Sequence, residues 1–147
     1  MMQKKVQIIS DGSLDLSQEL TKEKDIEVVP FYVSFDSETY QKEMVEVGVR
    51  EFYQEMVDHP TVFPKTSMPS VHDYYEVFEK YAKEQLPVIC ICITKKFSGS
   101  LQSATTAKDM ILEEYQDAQI TVIDSTVNTV LQGLYVLEAC RLRDMGL

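Results

Sequence analysis

Basic residues are scarce in this chain, with 14 Lys and Arg against 24 Asp and Glu and a formal charge of −10. Neutralising phosphates requires clustered cations, and the adjacent pairs here are Lys4-Lys5 and Lys95-Lys96, so nucleic acid and an anionic membrane surface are excluded as main partners. An anionic small ligand would have to be held by local amides and hydroxyls, against a field that salt screens beyond about 8–10 Å. Long apolar runs are also missing. None approaches the roughly 18 residues of a membrane span, and MMQKKVQIIS is too briefly apolar for a secretory signal. The expectation is a cytoplasmic protein without a membrane span. Cysteine is limited to three residues. Cys90 and Cys92 are expected on one strand, pointing to opposite faces, and Cys140 falls in a late helix without a partner motif, which disfavours disulfides and a zinc site. No metal ligand set is assigned, because Asp11, Asp15 and Asp124 lack His or Cys companions at ligand spacing and turn aspartates generally cap helices. The glycine patterns G-x-G-x-x-G and G-x-x-x-x-G-K-[ST] are absent, which disfavours a nucleotide.

Against these absences, 147 residues with 44% apolar content are enough for one domain with a closed core. Val6 to Ser10 reads as a strand, followed by the turn Asp11-Gly12-Ser13 and a short helix. Ile26 to Phe35 reads as two strand pieces split at Pro30, which cannot donate to a ladder and marks an edge or bend. A small polar ribbon is expected at Glu38 to Lys42. A helix follows over Gly48 to Val57, with Val49, Phe52, Tyr53, Met56 and Val57 at helical spacing and its end at His59-Pro60. Thr61 to Pro69 should be extended. Ser70 with Asp73 forms a capping-box pattern, opening a helix whose stripe is Val71, Tyr74, Tyr75, Phe78 and Tyr81. Another helix, a strand at Ile120 to Ile123 and a last helix at about 128–145 complete the order. Strands and helices alternating at this spacing predict an α/β fold with a doubly wound, mainly parallel sheet and helices on both faces. Ligands of such sheets lie beyond the carboxyl ends of the strands. Three turns share that edge: Asp11 to Ser13, Thr94 to Ser100 and Asp124 to Thr126.

The stretch Val88 to Ala104, VICICITKKFSGSLQSA, carries the functional expectation. A β-branched strand greasy on both faces runs into a Ser/Gly turn at the mouth of a helix, where free amides and the helix dipole favour an anion. Thr66 and Ser67, on a loop stiffened by Pro64 and Pro69, and Ser98 with Ser100 are the hydroxyls that can converge on a carboxylate. A serine hydrolase would need a positioned base. The chain has only His59 and His72, and G-x-S-x-G is absent.

The order DGSLDL (Asp11 to Leu16), Val28-Val29-Pro30, Phe52-Tyr53 with Met56, PKTSMPS (Pro64 to Ser70), SGSLQSA (Ser98 to Ala104), VIDS (Val122 to Ser125) and Gln132-Gly133 resembles the DegV family of bacterial fatty-acid-binding proteins along the whole length. The resemblance implies a carrier, not an enzyme, with no cofactor and with a long-chain fatty acid as ligand. Its carboxylate would be presented to a fatty acid kinase for acyl-phosphate formation in phospholipid synthesis. It implies Thr66 and Ser98 as carboxylate ligands, with no catalytic residue. Gly99 would let the ligand approach the backbone, and Ser67 and Ser100 are secondary candidates. The sequence departs from the family pattern in having Gly12-Ser13 for Ser-Thr, Met68 for Gln, Lys95-Lys96 for a serine-rich approach and Ser100-Leu101 for Thr-Tyr. Family members also carry a second domain that completes the acyl tunnel. Residues 1–147 are therefore expected to be the N-terminal domain, with the final helix leading toward that second half and fatty acid bound weakly or not at all by this half alone. Two alternatives stand beside this reading: a hydrolase or acyl/phosphoryl-transfer enzyme using Ser98, and a non-lipid regulatory interaction domain.

Overall fold

The computed structural model describes residues 5–147; residues 1–4 of the MMQKKVQIIS segment, Lys4 included, lie outside the described residues. The chain runs through β1 (Gln7–Asp11), a 3-10 turn (Gly12–Leu14), α1 (Gln18–Glu23), β2 (Ile26–Val29), β3 (Tyr32–Ser34), β4 (Gln41–Lys42) and α2 (Val49–Asp58). It continues through β5 (Lys65–Ser67), α3 (Val71–Lys83), β6 (Val88–Cys92), α4 (Ser100–Glu114), β7 (Ile120–Asp124) and α5 (Thr129–Asp144). A four-stranded parallel sheet has the order β2-β1-β6-β7, and a three-stranded antiparallel sheet the order β4-β3-β5.

Period-two alternation along β1 and β6 divides the core between two faces. Ile9, Val29, Cys90 and Cys92 pack under α3 and α4 with Tyr74, Phe78, Ala104, Ala107 and Ile111. Ile8, Ile26 and Ile91 face the other way, onto Leu14 and onto Val136 and Cys140 of α5. The doubly wound α/β architecture is thus observed, with helices on both faces. Cys90 and Cys92 do not point to opposite faces. Residues two apart on a strand share a face, and their sulfurs lie 3.8 Å apart in the α3/α4 core.

Pro30 ends β2, and the chain leaves the parallel sheet there to begin the small one. The segment 61–69, expected to be extended, begins in a turn closed by the Val62 amide on the His59 carbonyl at 2.9 Å, and its centre is a strand, β5, paired antiparallel with β3. At α3 the capping box forms in full: the Asp73 amide donates to Ser70 Oγ, and the Ser70 amide donates to Asp73 Oδ2 at 2.8 Å. Helix α2 forms where the spacing places it and ends at His59, yet none of its residues is buried. Phe52 packs against Phe35 with ring centres 5.2 Å apart and ring planes tilted by 46°, while Val49, Tyr53 and Val57 stay exposed. Helix α5 is pinned at Gly133, where a β-carbon would overlap the Leu14 carbonyl oxygen. Its outer face leaves Val130, Leu131, Leu134 and Tyr135 exposed. No helix of the described residues is long and apolar enough to cross a membrane.

Candidate functional site

Strand order reverses between β1 and β6, and the crevice beyond that switch point is where open α/β sheets bind ligands. Asp11, at the carboxyl end of β1, closes its floor. Its Oδ2 accepts from the Ile93 amide at 2.9 Å and from Ser100 Oγ at 2.8 Å, and its Oδ1 accepts from Gln132 Nε2 at 2.8 Å and from the Ser13 amide at 3.2 Å. One carboxylate thereby ties β1, β6, α4 and α5 together. Burial pushes the Asp11 carboxyl above its ordinary value, and the four donors pull it back only in part. Because the Ser100 hydrogen goes to Asp11, the Tyr74 hydroxyl at 2.6 Å donates to Ser100 Oγ; burial, foremost, raises that phenol well above its ordinary range. Gln132 Nε2 also donates to Ser10 Oγ at 3.0 Å, while Gln132 Oε1 is buried without a partner among the described residues. Rotating the amide would set Oε1 against the Asp11 carboxylate, which explains the stranded oxygen.

The expected ligand residues separate in this geometry. Thr66 pairs with Val33 across β3 and β5, so the two side chains share a face. Both line a cleft of about 620 Å³ between the small sheet, the Gly12–Ser17 turn, α1, β2 and α2. Apolar walls come from Leu14, Leu16, Ile26, Val28, Val47 and Phe52. Ser67 pairs with Tyr32 and so points to the opposite face, away from the cleft. Ser98 lies outside the cleft lining; its Oγ accepts from the Ser100 amide at 3.1 Å, which leaves its O–H hydrogen free to donate elsewhere. Ser100 does not present its hydroxyl to a ligand, being 0% exposed and committed to Asp11 and Tyr74. The space over Gly99 is likewise taken: a β-carbon there would sit 2.6 Å from the Met68 sulfur. Met68 thereby brings the segment carrying Thr66 into contact with the turn carrying Ser98.

The residue that sequence reasoning missed is Glu43, which follows β4. Its amide donates to the Phe31 carbonyl at 3.0 Å, and its Oε1 accepts from the Phe31 amide at 3.2 Å. Standing opposite Phe31, it shares the face of β3 that carries Val33 and Thr66, and it lines the same cleft. A side chain at position 12 would overlap Glu43 Oε1, so Gly12 is what admits this carboxyl. Burial pushes Glu43 above the usual carboxylate range, the Phe31 amide opposes this, and the Asp11 charge adds to it. No local motif marks Glu43, because its placement depends on ribbon register.

Both histidines are exposed and pair with glutamates of their own helices, His59 with Glu55 at 3.4 Å and His72 with Glu76 at 3.2 Å. Neither is bonded to Ser98, so the hydrolase arrangement is not assembled. Among the described residues no cluster of three or more His, Cys, Asp or Glu is arranged to hold a metal ion.

The family model for DegV, described as "Uncharacterised protein, DegV family", matches residues 5–147. A DegV domain-containing protein of Clostridium acetobutylicum is 36% identical over 142 residues, covering 97% of this chain and 49% of its own length. A crystal structure described as a stearic acid-binding protein, from Eubacterium ventriosum, superposes with a TM-score of 0.93 at 47% identity, over 97% of this chain and 48% of that one. A fatty-acid-binding DegV family protein of Thermus thermophilus gives 0.82 at 28% identity, over 97% of this chain and 49% of that one. The chain therefore spans about half the length of these relatives.

Proposed function

This chain belongs to the DegV family, and from that premise we propose that it forms the head-group half of a fatty-acid carrier, with Thr66 and Ser98 as the hydroxyl donors to the carboxylate. The observation that carries the reading is the cleft of about 620 Å³. It falls within the roughly 300–1,000 Å³ common for small-molecule sites, is walled by aliphatic and aromatic side chains and carries Thr66 on its rim. The stearic acid-binding character of the Eubacterium ventriosum protein supports the same ligand class. Ser98 contributes a hydroxyl whose oxygen is already occupied by the Ser100 amide, an arrangement that favours donation to an anion.

Each buried methylene is worth about 0.8 kcal/mol, and an open groove forfeits part of that. The exposed apolar faces of α2 and α5 support a second domain, following α5, that covers the acyl chain. The carrier would then offer the carboxylate to a fatty acid kinase, taking no part in bond-making itself. Isothermal titration with palmitate or oleate tests the site. Thr66→Ala or Ser98→Ala, in the protein extended by the second half, is expected to weaken binding by about 1.5–3 kcal/mol, the range for hydrogen bonds to a charged group. Unchanged affinity in the double variant would remove these residues from the site. For residues 1–147 alone, binding of either acid is expected to be weak, and submicromolar affinity would contradict the need for a second half.

A further inference from the structure

Resting on the fatty-acid reading, we propose that Glu43 is a second head-group residue, which holds the ligand carboxylate by donating a hydrogen bond from a protonated Oε2. Register places it on the cleft-facing side of the small sheet, opposite Phe31, while Thr66 stands opposite Val33 on the same face. Oε1 is held by the Phe31 amide, and no donor among the described residues reaches Oε2. The carboxyl of this cleft-lining residue is therefore held by one oxygen, with the other left without a protein donor among the described residues. Gly12 makes the placement possible, since any β-carbon there would displace Oε1.

Two carboxylates at one apolar site cannot both remain charged cheaply, so one proton is shared or taken up when an acid ligand enters. Glu43 is the group prepared to take it, since its burial and the nearby Asp11 charge already favour the neutral form. The other charged or titratable side chains lining the cleft are Asp15 from the turn, Lys22 from α1 and Tyr53 from α2, while Glu27 of β2 turns its carboxylate to Tyr81 and Lys80 of α3. Lys22 is the one cation among those lining residues. Lys42, next in sequence, stands on the opposite face of the ribbon, 4.0 Å from Asp73, and its amide donates to Glu46 Oε2. A ligand carboxylate near Glu43 thus finds more negative than positive neighbours, and a neutral, donating Glu43 removes one of them.

Decanoate, soluble enough to saturate a weak site, is the probe, with decanol as the uncharged control. The Glu43 carboxyl carbon is followed by NMR against pH in the 147-residue chain. The expected result is a titration midpoint raised by about one unit or more by decanoate and unmoved by decanol. Glu43→Gln keeps the acceptor for the Phe31 amide and supplies a permanent donor. It should bind decanoate with flat affinity across the interval between the unbound and bound wild-type midpoints, where wild-type affinity falls as pH rises by about ten-fold in total for each unit of midpoint shift. An unmoved midpoint while Thr66 and Val33 amide signals respond to decanoate would overturn the role of Glu43 and leave the fatty-acid reading standing. No response of those amides to decanoate, with stearate also unbound, would overturn both.

Discussion

Ser100→Ala removes the hydroxyl that joins Asp11 to Tyr74 at the switch point of the sheet. The wild-type oxygen donates to Asp11 Oδ2 at 2.8 Å and receives the Tyr74 hydroxyl at 2.6 Å, with the residue 0% exposed. A hydrogen bond to a carboxylate contributes about 1.5–3 kcal/mol. Its loss leaves Asp11 with three donors, and it leaves the Tyr74 hydroxyl with the Cys92 sulfur at 3.6 Å as its remaining contact. A buried hydroxyl so weakly satisfied costs about 1–3 kcal/mol, although the two losses overlap. The expected net destabilisation is about 2–4 kcal/mol, a fall in Tm of roughly 5–15 °C for a chain of this size. Urea unfolding followed by far-UV circular dichroism measures it. Tyr74→Phe supplies the internal control, because it removes the group that Ser100→Ala strands. The double variant should therefore be less destabilised than the two single losses summed, by roughly 1 kcal/mol or more. A Ser100→Ala protein within 1 kcal/mol of wild type, with additive double-variant behaviour, would refute the network as a structural element.

Asp11→Asn tests the charge at the same place. A carboxyl whose pKa is raised in the fold holds more protons folded than unfolded between its unfolded value, about 3.9, and the folded one. Its stabilising contribution is full below the lower value and is lost as pH rises through the upper one. The wild-type minus Asn stability difference should thus fall across that window and then level off, and an equal pH slope in the two proteins would refute the shift. Gly133→Ala forces a methyl into the Leu14 carbonyl oxygen, and its thermal melt should report a loss of about 1–3 kcal/mol. Ser70→Ala removes the acceptor of the Asp73 amide and half of the capping box, and denaturant titration should show about 0.5–2 kcal/mol lost.

The parts of the fold legible in the sequence are those governed by local chemistry. Ser70 with Asp73 announces a helix start that the capping box then makes, and Pro30 breaks Ile26–Phe35 where the chain changes sheets. The alternation through Ile89–Ile93 marks a strand covered on both faces, since residues with either parity find an apolar layer. Local pattern fails where pairing decides. Lys65–Ser67 contains no strand signature between its prolines and becomes a strand because β3 offers an open edge. The apolar stripe of α2 is real in the sequence and only half covered in the fold, Phe52 and Met56 being partly buried and Val49, Tyr53 and Val57 exposed, because helical spacing reports an amphipathic face without stating what lies against it.

At the site, the limit has a sharper physical form. Thr66 and Ser67 are adjacent hydroxyls on one loop, equivalent by composition, and only the pairing of Val33 with Thr66 turns one into the cleft and the other away; a one-residue slip in β5 would exchange them. Glu43 owes its position to the same ribbon, at the other side of β3. The three-residue strand Tyr32–Ser34 therefore sets, through its two neighbours, which hydroxyl and which carboxyl line the cleft. The parallel sheet fixes the Ser98 turn, outside the cleft lining, by a different route, through Asp11, Ser100 and the Ser98 oxygen that the Ser100 amide occupies. Met68 against Gly99 joins the two routes. Since each route is fixed by backbone pairing or by hydrogen bonds within the fold, Thr66, Glu43 and the Ser98 turn are placed by the protein itself, and a ligand held by them in the proposed way would meet a lower ordering entropy on binding.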